Sequence, residues 1–359
     1  MSHTLRVIDA GLREGRYNIA LDQAMIEAHQ QGLVADTLRF IHFRPSALLG
    51  RHQELSTEID VEFCRAHGIG VGRRITGGGA IYLDEGQLGW ALALSRATLG
   101  NSDLGDIAAT ICEAAAAGLV RLGVEARFRP RNDIEIDGRK VSGTGGFHDG
   151  DTLFYQGTVL VDLDPARMLG ALRVPQAKTA RHGLDSAARR VVCLRELLGD
   201  ATPSITQVQD ALLDGFRERL GFDFRAEPVS AAEQRLADAL HADSIGQDEF
   251  VTEIDAPPGK RAVASGVHVA RGGTITAYLR REGPASQRIG QLLLTGDFFV
   301  APPRLVLDLE ASLRGTDIRD LRDTMDAFFS QHPISAISIT PDDFRSAIEA
   351  ALGATTVSA

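Results

Sequence analysis

Two short runs of residues have the types and spacing for chemistry on anions. The first is Arg73-Arg74-Ile75-Thr76-Gly77-Gly78-Gly79-Ala80-Ile81-Tyr82-Leu83-Asp84. Three consecutive glycines open the backbone to φ > 0 and leave no side chains to hold a ligand away. Such a turn aims N–H groups into a concavity that suits phosphate or carboxylate oxygens. The arginine pair before it supplies cationic forks for the same anions. The same residues also describe a tight turn between two strands with surface arginines, a common use of glycine. The run is not a Walker loop, because no Gly-Lys-Ser/Thr follows, and its glycines lack the Rossmann spacing.

The second run extends from Arg131 to Thr144. Asp137-Gly138 is a two-residue hairpin signal between Ile134-Glu135-Ile136 and Arg139-Lys140-Val141. A regular ladder from that turn pairs Ile136 with Arg139, Glu135 with Lys140, Ile134 with Val141 and Asp133 with Ser142. Paired residues share a face. One face then carries Ile134, Ile136 and Val141 and suits a core. The other carries Asp133, Glu135, Lys140 and Ser142 and looks onto solvent or a cleft. Lys140 has two readings there: a cross-strand ion pair with Glu135, or a cation that neutralises an acyl carboxylate and a phosphate as they approach. Asp133 has the hard oxygens that suit a magnesium ion. Ser142-Gly143-Thr144-Gly145-Gly146 is expected to be a flexible segment able to move over a ligand.

Helix and strand patterns interleave around these runs. Apolar spacing predicts helices over 17–30, 59–66, 106–122 and 206–220, and strands over 38–43, 47–49, 80–83, 88–94 and 154–162. Gly246, Pro257, Pro258 and Gly259 break this rhythm after the amphipathic stretch 231–242. The expected organisation is therefore a domain over 1–245, a linker over 246–260 and a smaller α+β domain over 261–359. Within the last, strands are expected over 262–270, 274–280 and 288–294, then helices over 304–313, 321–329 and 342–352. The chain has 359 residues, 38 Lys+Arg against 48 Asp+Glu, and a net charge of −10. That balance argues against a nucleic-acid binder held by phosphate neutralisation. Cys64, Cys112 and Cys193 form no CxxC pair, which argues against a disulfide framework or structural zinc and suits a reducing compartment. No apolar run approaches membrane-spanning length and no signal-peptide pattern opens the chain, so no membrane partner and a cytoplasmic location are expected.

Together the two runs are more specific than either alone. An arginine pair leading into a triple glycine, followed by an Arg-Asn-Asp hairpin that ends in Lys-Val-Ser-Gly-Thr, resembles the lipoate–protein ligase family, which groups with biotin ligases and octanoyltransferases. The resemblance covers most of 1–245, including Tyr17-Asn18-Ile19-Ala20, Leu49-Gly50-Arg51 and Gly157-Thr158. It continues in Gly266-Val267, Gly273-Thr274-Ile275 and Thr295-Gly296-Asp297-Phe298-Phe299, which look like the family's small accessory domain. It implies an α+β fold, with a large mixed-sheet catalytic domain of the biotin/lipoate ligase type and a small C-terminal α+β accessory domain. It further implies that lipoate or octanoate and Mg-ATP give an acyl-adenylate, from which a lysine of an apo lipoyl-carrier protein takes the acyl group. By position, ATP or the adenylate falls to Arg74, Gly78, Gly79, Ala80, Ile81, Tyr82, Asn132 and Lys140. Lipoate falls to Arg74, Gly77, Lys140 and Gly157, the metal to Asp133, and the catalytic role to Lys140.

Three positions depart from the commonest pattern. Leu83 stands where many members have histidine, Gln156 where histidine often precedes the glycine, and Pro130 where glycine is common. An octanoyltransferase of the same fold, some of which use an activated cysteine, is the nearest alternative. Cys64 and Cys112 fall in helical patterns, however, and Cys193 precedes one. A biotin ligase lacks support because its arginine-rich glycine motif is absent, while a non-catalytic lipoate binder need not retain the ATP side. Lys178, Arg181, Arg189 and Arg190 mark either a loop that folds over the adenylate or an exposed basic connector. The accessory domain is expected to swing relative to the large one.

Overall fold

A computed structural model describes residues 3–100, 103–130, 132–173, 190–255 and 263–354. Arg131 and most of the basic segment, with Lys178, Arg181 and Arg189, lie outside the described residues. The fold is mixed α+β, built on an eight-stranded sheet. In chain order its elements begin with β1 (His3–Arg13), α1 (Gly15–Gln30), β2 (Thr37–Phe43), β3 (Ser46–Leu49), α2 (Leu55–Glu58) and α3 (Val61–Ala66). Then come β4 (Gly70–Arg73), β5 (Ile81–Leu83), β6 (Gln87–Ser95), α4 (Leu104–Val120), β7 (Arg127–Arg129), β8 (Asp133–Ile136), β9 (Arg139–Asp149) and β10 (Thr152–Leu160). α5 (Pro165–Ala171), α6 (Leu194–Leu198), α7 (Ile205–Leu220), β11 (Phe222–Ala226), α8 (Ala231–Asp243) and α9 (Asp248–Thr252) follow.

The large sheet runs β11-β1-β2-β6-β10-β9-β8-β7. β1 pairs in parallel with β2 and β11, and all other neighbours are antiparallel. β6 lies in the middle with eight of its nine residues buried, because both its faces are covered. Leu88, Trp90, Leu92 and Leu94 pack toward α4 and α7 on one side. Ala91 and Ala93 face α1 on the other, where Ile19, Met25 and Ile26 recur at helical spacing. A separate three-stranded sheet, β4-β3-β5, carries the glycine run as the connection from β4 to β5.

The C-terminal part holds an antiparallel meander of β12 (Ala264–Ala270), β13 (Gly273–Glu282) and β14 (Arg288–Gly296), followed by β15 (Val300–Ala301) and β16 (Ser335–Ala336), which pair with each other. α10 (Leu305–Leu313), α11 (Leu321–Gln331) and α12 (Pro341–Gly353) complete an apolar core of their own around Ile275, Leu294, Phe298, Leu309 and Phe344. Among the described residues no helix is long and apolar enough to cross a membrane.

Two expectations need correction. The hairpin turns at Asp137 (φ 51) and Gly138 (φ 78) as its sequence requires, and Ile136 faces Arg139 and Glu135 faces Lys140. A β-bulge then shifts the register, so that Ile134 faces Ser142 and Asp133 faces Gly143. Ser142 is turned into the core with no exposure, instead of lining a polar face. The segment 142–146, expected to be flexible, is regular strand inside β9. Its glycines serve close approach: a Cβ on Gly146 would lie 2.2 Å from the Phe154 carbonyl oxygen.

Candidate active site

The two arginines of the first run have separate fates, because neighbouring residues in extended chain point to opposite sides. Arg73 points away from any ligand space. Its guanidinium donates to the carbonyls of Gly50, Arg51, Gln53, Val251 and Ile254 at 2.6–3.2 Å, tying two loops together. Burial pulls its pKa down to about 9. The expectation that both arginines present forks to an anion is thus corrected: Arg73 is structural. Arg74 is buried on the other side, donating to Leu48 O at 2.9 Å and to Gly77 O and Gly79 O at 3.0 Å. Nε also reaches the Thr76 hydroxyl at 3.4 Å; none of its partners is a carboxylate, and burial lowers its pKa to about 10.

The hairpin brings Lys140 to the same place. The bulge sets Gly143 beside it, and Lys140 lies across that glycine: a Cβ there would be 2.5 Å from both Cε and Nζ of the lysine. Lys140 Nζ thereby reaches Asp133 Oδ1 at 2.8 Å. The alternative partner, Glu135, is occupied by Arg127 (2.8 Å) and Arg129 (3.3 Å), so the cross-strand pair with Lys140 does not form. Asp133 also accepts from Arg129 at 2.5 Å. Burial alone would raise the Asp133 pKa, but the charges and hydrogen bonds of Lys140 and Arg129 outweigh it and hold the carboxyl below its ordinary value. On its outer side, Lys140 N donates to Arg190 O at 2.8 Å, which fixes the strand. Asn132 is held through Thr144, whose N and Oγ1 both donate to Asn132 O, at 2.8 and 2.9 Å.

These groups share one cavity of about 460 Å³. Each residue to which the resemblance gives a nucleotide, acid, metal or catalytic role lines it: Arg74, Gly77, Gly78, Gly79, Ala80, Ile81, Tyr82, Asn132, Asp133, Lys140 and Gly157; Arg73, Glu135 and Ser142 do not. Part of its lining is apolar, where Ile19, Ile41, Phe43, Leu48 and Leu83 belong to a single hydrophobic cluster. The charged part of the lining includes Arg74, Lys140 and Asp133. Tyr82 contributes backbone, since its hydroxyl is turned to Asp84 at 2.9 Å. Asp133 would offer a magnesium ion one hard carboxylate ligand, in exchange for the Lys140 or Arg129 contact that each of its oxygens makes in this structure. Among the described residues no group of three His, Cys, Asp or Glu could hold a metal unaided.

Sequence reasoning missed part of the lining. Gln156 donates to Thr76 Oγ1 at 2.7 Å, and both residues line the cavity. Gly272, Gly273, Asp297, Phe299 and Ile337 come from the C-terminal part and roof the cavity. The Thr295–Phe299 signature was the signal that could have located Asp297 and Phe299. Gly78 N donates to Phe298 O at 3.3 Å, and the Phe299 ring lies against Gly78 and Gly145, where added Cβ atoms would come within 2.6 and 2.2 Å of it. The cysteines stay outside the lining. Cys64, Cys112 and Cys193 are all buried, and Cys112 lies behind Thr144 at 3.2 Å, its thiol pKa raised by burial.

Comparison with known proteins identifies the family. Residues 14–217 match the lipoyl protein ligase A/B catalytic domain. The octanoyltransferase LipM of Kyrpidia tusciae is 28% identical over 68% of this chain and 97% of its own length. Lipoate-protein ligase A subunit 1 of Thermoplasma acidophilum is 29% identical over 66% of this chain and 91% of its own. A crystal structure of lipoate-protein ligase A bound with ATP superposes with a TM-score of 0.61 at 27% identity, covering 70% of this chain and 99% of that one.

Proposed function

The chain belongs to the lipoyl protein ligase A/B catalytic-domain family, and on that premise we propose that it is an ATP-dependent lipoate–protein ligase. Lipoate or octanoate lies along the apolar part of the lining with its carboxylate toward Lys140. That carboxylate attacks the α-phosphorus of ATP and pyrophosphate leaves. A lysine of an apo lipoyl-carrier protein then attacks the acyl-adenylate carbonyl, forming the amide and releasing AMP. No enzyme nucleophile is required; the rate comes from holding two anions together and stabilising the charge that develops. Arg74, Asn132, the 78–82 backbone and Lys140 serve the nucleotide. Arg74, Gly77, Gly157 and Lys140 serve the acid, and Asp133 serves a magnesium ion that neutralises phosphate charge. In this reading 1–245 is the catalytic domain, 246–260 a linker and 261–359 an accessory domain.

The observation that carries the reading is the cavity itself, whose lining combines a buried guanidinium and Lys140 with apolar side chains. The main competitor is acyl transfer between carrier proteins without ATP, which the similarity to LipM favours. Against a cysteine route, the three cysteines are buried outside the lining. The test is mass spectrometry of apo lipoyl carriers incubated with lipoate or octanoate, with and without Mg-ATP, alongside pyrophosphate release. Ligation from the free acid only with ATP is expected. Modification only from an octanoyl-carrier donor would establish the transferase instead. Acid binding with neither activity would leave a non-catalytic binder.

A further inference from the structure

Thr76 directly precedes the three glycines, is 1% exposed, and is among the residues that line the cavity. Its backbone is fixed by Arg51 N, which donates to Thr76 O at 2.8 Å. Its hydroxyl oxygen accepts from Gln156 Nε2 at 2.7 Å and from Arg74 Nε at 3.4 Å. A hydroxyl has two acceptor lone pairs and one proton. With both lone pairs taken by N–H donors, Thr76 is left with its proton to donate, and Thr76 is among the residues that line the cavity. Arg74 Nε alone would leave one lone pair open and the proton free to rotate. The second donor comes from β10, where Gln156 faces Gly145 on β9 and Ala91 on β6. Its amide reaches across to the glycine run from a strand eighty residues away in sequence.

We propose that Gln156 is a positioning residue: by occupying a lone pair of Thr76 Oγ1 it directs the Thr76 hydroxyl proton into the cavity, where it donates to the carboxylate of the acid substrate. The proposal rests on the ligase reading for the identity of that acid. A hydroxyl held this way favours an oxygen acceptor and offers nothing to a donor, so this position selects a carboxylate or an acyl-phosphate oxygen over an amine or an alcohol proton. Nothing need be paid at binding to reorient it, because the two N–H groups have already done so.

The test is a double-mutant cycle of Gln156→Met and Thr76→Val in the full chain, read by acid-dependent ATP–pyrophosphate exchange with octanoate. Each single variant should lower kcat/KM for the acid by about 10- to 100-fold, the usual weight of a hydrogen bond to a charged group. KM for ATP should move by less than about threefold. The double variant should be no worse than Thr76→Val alone, since Gln156 acts only through that hydroxyl. Gln156→Glu, which offers only acceptors and would turn the hydroxyl toward itself, should lose at least as much as Gln156→Met. Independent, multiplying losses in the cycle would overturn the proposal, as would a Gln156→Met variant within twofold of the parent. If the parent itself shows no exchange, the ligase reading fails. The same cycle is then read on the dissociation constant for octanoate by calorimetry, where additive losses would again overturn the role of Gln156.

Discussion

At the scale of single residues, the site depends on where one lysine can lie. Lys140 reaches Asp133 only because the position beside it is Gly143. The atoms that an added Cβ would meet are the flexible end of the lysine, not backbone. Gly143→Ala should therefore displace the ammonium while leaving the fold intact. The expected outcome is a loss of pyrophosphate release on the order of 100-fold, the cost of a small misplacement of a catalytic group. Tm should stay within about 2 °C of the parent. A variant that unfolds, or one that keeps full activity, would contradict this account of the glycine. The hairpin tip was legible in the sequence because Asp-Gly is a local signal for φ > 0 at both turn residues. The bulge was not, since nothing in Lys140-Val141-Ser142 distinguishes a regular ladder from one with an extra residue.

At the scale of elements, α10 carries an acid against the C-terminal sheet. Glu310 accepts from Leu294 N at 2.7 Å, and burial pushes its pKa from 4.5 up to about 7. The folded state thus holds the proton more tightly than the unfolded chain does. The stability this confers is complete below the unfolded value and is lost as pH rises through about 7. Glu310→Gln keeps an acceptor for Leu294 N without the titration. It should raise Tm by about 2–6 °C at pH 8, with the gain shrinking as pH falls toward 5. A gain that does not depend on pH, measured by thermal melts across that range, would refute the burial argument. The same scale explains why Arg73 and Arg74 were indistinguishable in sequence. Arg73 ends β4 and Arg74 follows it directly, and only the carbonyls around 50–53 and 250–254 show which side is structural.

At the scale of the whole molecule, the C-terminal part closes the site in this arrangement. The Phe298 carbonyl takes the Gly78 N–H, and the Phe299 ring fills the space beside Gly78 and Gly145. His52 stacks on Phe298 with ring centroids 5.0 Å apart, and Thr295 donates to Glu54 at 2.6 Å. A phosphate cannot use the Gly78 N–H while Phe298 holds it. Nucleotide and acid together should therefore separate the two parts. Small-angle scattering should show the radius of gyration growing by on the order of 1 Å when octanoate and Mg-ATP are both present. An unchanged radius under turnover would sink this idea.

The sequence by itself determined the local chemistry: a glycine turn, a hairpin with a lysine, an apolar period for each major helix, and their joint likeness to one ligase family. These are short-range properties, set by backbone permissiveness and side-chain period. Tertiary structure alone decided which arginine lines the cavity, which carboxylate pairs with Lys140, and that Gln156 and Phe299 belong to the cavity. The physical reason is the same in each case. Those contacts join residues from strands and loops far apart in the chain, and only packing fixes which side chains meet.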